Sequence, residues 1–78
     1  MNKKSHSKQE SFVVCIDNTD YTASLEKHKI YRVVRDDAAR DDGDIRVVDE
    51  SGDDYLYPAV RFVSITVPVE VEKSLTPG

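Results

Sequence analysis

The chain has no tryptophan, one cysteine, and only three glycines and three prolines in 78 residues. Each scarcity excludes something. A single cysteine, Cys15, rules out an internal disulfide. A domain this close to the lower size limit for independent folding must therefore hold together by packing. Cys15 lies in an apolar run, which reads as a buried structural thiol rather than a reactive one. One unpaired cysteine also suits a reducing cytoplasm better than a secreted setting. No apolar stretch approaches the roughly 18 residues that a membrane-spanning helix needs. The segment Met1 to Lys8 lacks the apolar core of a signal peptide. The expectation is one soluble, cytoplasmic domain with no membrane partner.

Metal and catalytic chemistry are equally short of parts. His6 falls in a polar tail and His28 in a turn, and no Cys/His spacing resembles a zinc site. A Cys15–His28 nucleophile pair would need an exposed thiol and a third group to orient the base. A calcium loop fails in both registers. With Gly43 at the sixth position, Ala38 and Arg40 take the first and third ligand places; with Gly52 there, Val47 comes first. A glycine-rich phosphate loop is missing too. No cofactor and no enzymatic activity are expected, and the acidic loops retain only weak surface cation binding.

Charge is what the chain has in abundance, and it is unevenly spread. The net formal charge is -4. Residues 1–11 hold Lys3, Lys4 and Lys8 against Glu10, which leaves eight basic and fourteen acidic residues over 12–78, a net of -6. Nine carboxylates cluster at Asp36, Asp37, Asp41, Asp42, Asp44, Asp49, Glu50, Asp53 and Asp54, with only Arg40 and Arg46 among them. Such a surface repels phosphate backbones, so direct nucleic-acid binding is disfavoured. The plain reading is a solvated, solubilising face. The functional one is a surface that favours a basic partner.

Along the chain, residues 1–11 are polar and aperiodic and read as a disordered tail. Phe12 to Ile16 is β-branched and aromatic, a strand ending at Asp17-Asn18. Residues 17–29 form a long ordered loop, and Ile30 to Val34 a second strand. The segment 35–43 holds one helical turn, with Asp36 or Asp37 as N-cap and Gly43 as a left-handed stop. Strands near 45–49 and 54–57 flank an acidic, Gly-containing turn, the pattern of a β-hairpin. Pro58 ends the second strand because it cannot donate to a ladder. Ala59 to Phe62 makes a tight helical turn before a last strand, 63–66. Residues 67–78 are a tail or short helix, with Pro68 in its first turn. Were they extended, they would leave an edge strand free to pair with another subunit.

Strand, long loop, strand, shorter loop, strand, tight hairpin, strand, helical turn and strand is the order of an SH3 domain, which the chain resembles over residues 12–66. The motifs align as well. Ala23-Ser24-Leu25-Glu26-Lys27-His28-Lys29-Ile30-Tyr31-Arg32-Val33-Val34 is similar to the family segment leading through the diverging turn into an alternating strand. The match implies that Leu25, Tyr31 and Val33 face the core and that His28 stands where glycine is usual. Tyr55-Leu56-Tyr57-Pro58, followed by Arg61-Phe62-Val63, is similar to the family's aromatic–aliphatic–proline ending. The same combination also resembles short bacterial SH3-like proteins of unassigned function. The implied fold is all-β, a five-stranded SH3-like barrel with a one-turn helix before the last strand.

The departures bear on function. Gripping a polyproline helix needs aromatic walls. Aligning Cys15-Ile16-Asp17-Asn18-Thr19 with the family's Ala-Leu-Tyr-Asp-Tyr stretch puts Asp17 and Thr19 where its tyrosines stand, and tryptophan is absent. Orthodox PxxP binding is disfavoured. Strand alternation with Leu56 inward puts Tyr55 and Tyr57 together on the opposite face. Their rings then pack on the barrel exterior with hydroxyls in solvent, or form an aromatic contact patch with Tyr21, Pro58 and Phe62. Two readings follow. The first is a non-catalytic interaction module or subunit that docks a protein through Tyr21, Tyr55, Tyr57, Pro58 and Phe62, its acidic loops favouring a basic partner. The second is an acidic regulator whose carboxylates mimic nucleic-acid charge and occupy the basic groove of a nucleic-acid-binding protein. Either is compatible with a homo-oligomer.

Overall fold

A computed structural model describes residues 11–75. Five strands form one antiparallel sheet: β1 (Ser11–Cys15), β2 (Ile30–Val34), β3 (Asp44–Val48), β4 (Asp54–Pro58) and β5 (Phe62–Ile65). A one-turn helix α1 (Asp37–Asp41) precedes β3, a 3-10 helix (Ala59–Arg61) precedes β5, and α2 (Val69–Leu75) ends the described chain. The strand order β4-β3-β2-β1-β5 is a meander in which the last strand returns to pair with the first. This is SH3-like in general form, but the sheet is not closed, because β4 and β5 remain its two edges. The expected disordered tail falls outside the described residues as far as residue 10, while Ser11 already belongs to β1, paired with Val33. The extended alternative for the C-terminal segment gives way to α2, whose first turn is closed by the Glu72 N–H donating to the Pro68 carbonyl at 2.9 Å.

Local chemistry sets the elements. Asp36 caps α1, its carboxylate accepting from the Ala39 N–H at 3.0 Å, which satisfies a donor the helix itself cannot. Gly43, with φ +82°, turns the chain out of that helix into β3. His28 sits at φ +73° just before β2, the left-handed conformation that the SH3 resemblance implies for it.

The core gathers Val13, Cys15, Leu25, Tyr31, Val47, Tyr57 and Phe62, with Tyr21, Val33 and Ile45 partly buried against it. Leu25 and Tyr31 are thus core residues and Val33 packs against the cluster, as the SH3 likeness implies. Phe12, on the opposite face of β1 from Val13, is also buried, flanked across the ladders by Arg32 and Ile65.

One face assignment is overturned. Tyr57 is only 5% exposed and belongs to the core, whereas Leu56 is 47% exposed. Tyr57 lies opposite Ile45, and Val47, the next inward residue of β3, is fully buried. Hence β4 turns Tyr55 and Tyr57 towards the core side of the sheet and Leu56 outwards. β4 alternates as the sequence pattern predicts, in the opposite phase.

Candidate functional site

The five aromatic and proline candidates divide between core and surface. Tyr57 and Phe62 are buried and stack edge-on with ring centroids 6.1 Å apart. Tyr21 meets Tyr57 at 5.0 Å and 86°, a T-shaped contact in which the edge of one ring meets the face of the other. Tyr21 and Pro58 are half-buried, and Tyr55, at the rim of the inward face, is 51% exposed. Tyr57 and Phe62 therefore form the wall behind the patch rather than its contact surface.

Two further residues adjoin Pro58 and Tyr21 without any sequence signal. Val60, in the 3-10 helix next to Pro58, is 80% exposed. Arg61 lays its guanidinium 5.6 Å from the centre of the Tyr21 ring. It also pairs with Asp17 at 3.1 Å and Asp20 at 3.8 Å, while its carbonyl accepts the N–H of Ile16 and of Asp17. The long loop is thereby pinned to the 3-10 helix. Arg61 and the loop are forty residues apart in sequence, so no local pattern announces the cluster.

The hydroxyls of Tyr57 and Tyr31 do not simply reach solvent. That of Tyr57 donates to Asp49 Oδ2 at 2.5 Å and lies 2.8 Å from the Ser24 hydroxyl. That of Tyr31 accepts from the Glu26 N–H at 2.7 Å and donates to Glu50 Oε2 at 2.5 Å. Burial pushes the Tyr57 hydroxyl upward in pKa, and the Asp49 carboxylate beside it adds to the shift. Tyr31 rises for the same two reasons, burial first and Glu50 second. These bonds, with the Glu50 N–H donating to the Ser24 carbonyl at 3.0 Å, tie the β3–β4 hairpin to the long loop.

The nine carboxylates do not form one acidic surface. Asp49 is 6% exposed. It accepts from the Ser51 N–H and hydroxyl and from Tyr57, which together outweigh the upward push of burial and hold its carboxyl below the usual range. Glu50 is lowered by hydrogen bonds from Lys29 and Tyr31. Asp36 is lowered first by the Ala39 N–H and then by Arg46. Arg46 spans two elements, its Nε on Asp36 and its Nη1 on Asp54, both at 2.9 Å. Asp37 binds Arg35. Only Asp41, Asp42, Asp44 and Asp53 lack a side-chain partner among the described residues, and of these Asp44 alone is half-buried.

The open side of the sheet supplies a third feature. The Asp49 N–H donates to the Asp53 carbonyl and the Ala59 N–H to the Gly43 carbonyl. In the antiparallel register this makes Val47–Tyr55 and Ile45–Tyr57 the hydrogen-bonded pairs. The backbone N–H and C=O of Asp54 and Leu56 consequently point away from β3, along the free edge. Elsewhere a cleft of about 560 Å³ is walled by Val33, Ile45, Phe62, Ile65 and Val67 together with Arg40 and Glu72.

No protein-family model matches the chain, and no curated protein or solved structure does either. Among the described residues no helix is long and apolar enough to cross a membrane.

Proposed function

We propose that the chain is a non-catalytic protein-interaction module that acts in the cytoplasm and docks a protein partner on the face made by Tyr21, Tyr55, Pro58 and Val60. The observation that carries this reading is the exposure of Tyr55 and Val60, on either side of Pro58 in the chain, while Tyr21, Tyr57 and Phe62 between and around them pack ring on ring. Large apolar groups held by a packed core can bury area on a partner while losing little side-chain entropy. Tyr57 and Phe62 contribute as the support that fixes Tyr21 and Pro58. The likeness to short bacterial SH3-like proteins fits a scaffold that presents such a face, and the missing polyproline walls point to a different ligand. A pull-down from cell extract tests the proposal, with Tyr55→Ala as the variant. Tyr55 is half exposed, so Tyr55→Ala should cost about 1–2 kcal/mol of stability and leave the chain folded, yet lose the captured protein. Retention of the same partner by Tyr55→Ala, at undiminished affinity, would sink the reading.

A further inference from the structure

We infer that the free edge of β4 receives an extended, basic-flanked peptide as a sixth strand of the sheet; this rests on the interaction-module reading and specifies its binding mode. The N–H and C=O groups of Asp54 and Leu56, unpaired among the described residues, face outwards, which is the template that strand addition uses. Tyr55 and Leu56 project from the two faces of that edge, both about half exposed, so an added strand would find an apolar neighbour on either side.

Charge decides the occupant. The carboxylates without side-chain partners bracket the edge at its two ends. Asp53 precedes β4, while Asp44 lies opposite Pro58 with Asp42 close behind it in the chain. A strand added to β4 would lie roughly 10 Å from β3, two strand spacings, which a lysine or arginine side chain can span. A second copy of this chain fits badly. Antiparallel pairing of β4 with itself would set the Asp53 end of one copy against the Asp42–Asp44 end of the other, like charge on like. The same carboxylates that discourage self-pairing, a known way of guarding an edge, are complementary to a strand with basic ends. Pro58 limits the ladder to the stretch before it.

The test is titration of the isotope-labelled full chain with a synthetic peptide of alternating valine and threonine bearing two lysines at each end. Binding should protect the Leu56 and Asp54 amides from hydrogen exchange. Methylating the peptide's ladder-forming amides should weaken affinity about tenfold or more, the scale of one lost hydrogen bond or slightly above, without touching the protein's fold. A peptide ending in glutamates should bind far more weakly, and added salt should weaken the lysine peptide. If the peptide shifts Tyr21 and Val60 but leaves the Leu56 amide exchanging freely, strand addition is overturned while the aromatic face stands. No binding, or a stable dimer of the free chain, overturns the inference outright. The Tyr55→Ala pull-down separately decides the reading beneath it.

Discussion

Asp49 shows how little a residue's type says about its role. In sequence it is one of nine carboxylates in an acidic stretch; in the fold it is buried, accepting from Ser51 and Tyr57. A buried carboxylate survives only when hydrogen bonds replace its hydration. The sign of its pH dependence follows. Its folded pKa lies below the unfolded value near 3.8, so its stabilisation is complete above about pH 5 and is lost as pH falls through the lowered folded pKa. Tyr57 acts in the opposite sense: its folded pKa is raised above 10.0, so its contribution is present below that value and lost as pH climbs through the raised one. Tyr57→Phe removes the bond between them and should cost about 1–3 kcal/mol at neutral pH, because it leaves a buried acceptor short of a donor. Urea melts across pH should show a plateau that falls at both ends, and Tyr57→Phe should make both arms shallower, with Tyr31 sustaining what remains of the alkaline one. An unchanged pH profile in Tyr57→Phe would mean that the bond carries no stability.

At the scale of elements, much of the fold was legible. Apolar runs bounded by Asp, Asn, Gly and Pro place the strands within a residue or two, since β-branched residues and turn formers act locally. The N-cap at Asp36 and the stop at Gly43 were readable for the same reason. The phase of β4 was not. Its alternation is shared by Tyr55, Leu56 and Tyr57, and which member faces inward depends on Ile45 and Val47 across the ladder. The candidate site was legible only in part for a related reason. Tyr55 and Pro58 come from one hairpin, but Arg61 stacking on Tyr21 and the division of the acids into paired and unpaired are long-range facts. His28 gives the sharpest element-level prediction. At φ +73° it pays a left-handed penalty on the order of 1–2 kcal/mol, part of which glycine's larger unfolded-state entropy would offset. His28→Gly should therefore raise stability by about 0.5–1 kcal/mol in chemical denaturation, whereas His28→Val should lower it.

At the scale of the whole molecule, the non-local pairing that joins the chain's two ends is the return of β5 to β1. Hydrophobic cluster members come from every strand and from the long loop, yet only the β1–β5 ladder joins the two ends of the meander. With neither disulfide nor closure of the sheet to reinforce it, that ladder rests on its side chains and on the Ile16 and Asp17 N–H groups that bond the Arg61 carbonyl at its end. Phe62, the first residue of β5, pairs with Cys15 and packs on Tyr57. A chain of this length is stabilised by roughly 4–12 kcal/mol in total at the usual 0.05–0.15 kcal/mol per residue, while truncating a buried phenylalanine to alanine costs about 3–5 kcal/mol. Phe62→Ala should thus consume a large share of the stability and bring the midpoint close to native conditions. Val63→Ala, one residue along and facing outward at the same ladder, should cost far less, within about 1 kcal/mol. Denaturant titrations of both variants decide the matter. Unfolding as one cooperative step, with the Phe62 variant shifted several times further than the Val63 variant, identifies β5 docking as the closure on which the fold depends. Equal shifts would place the weight of the fold in the β2–β3–β4 meander instead.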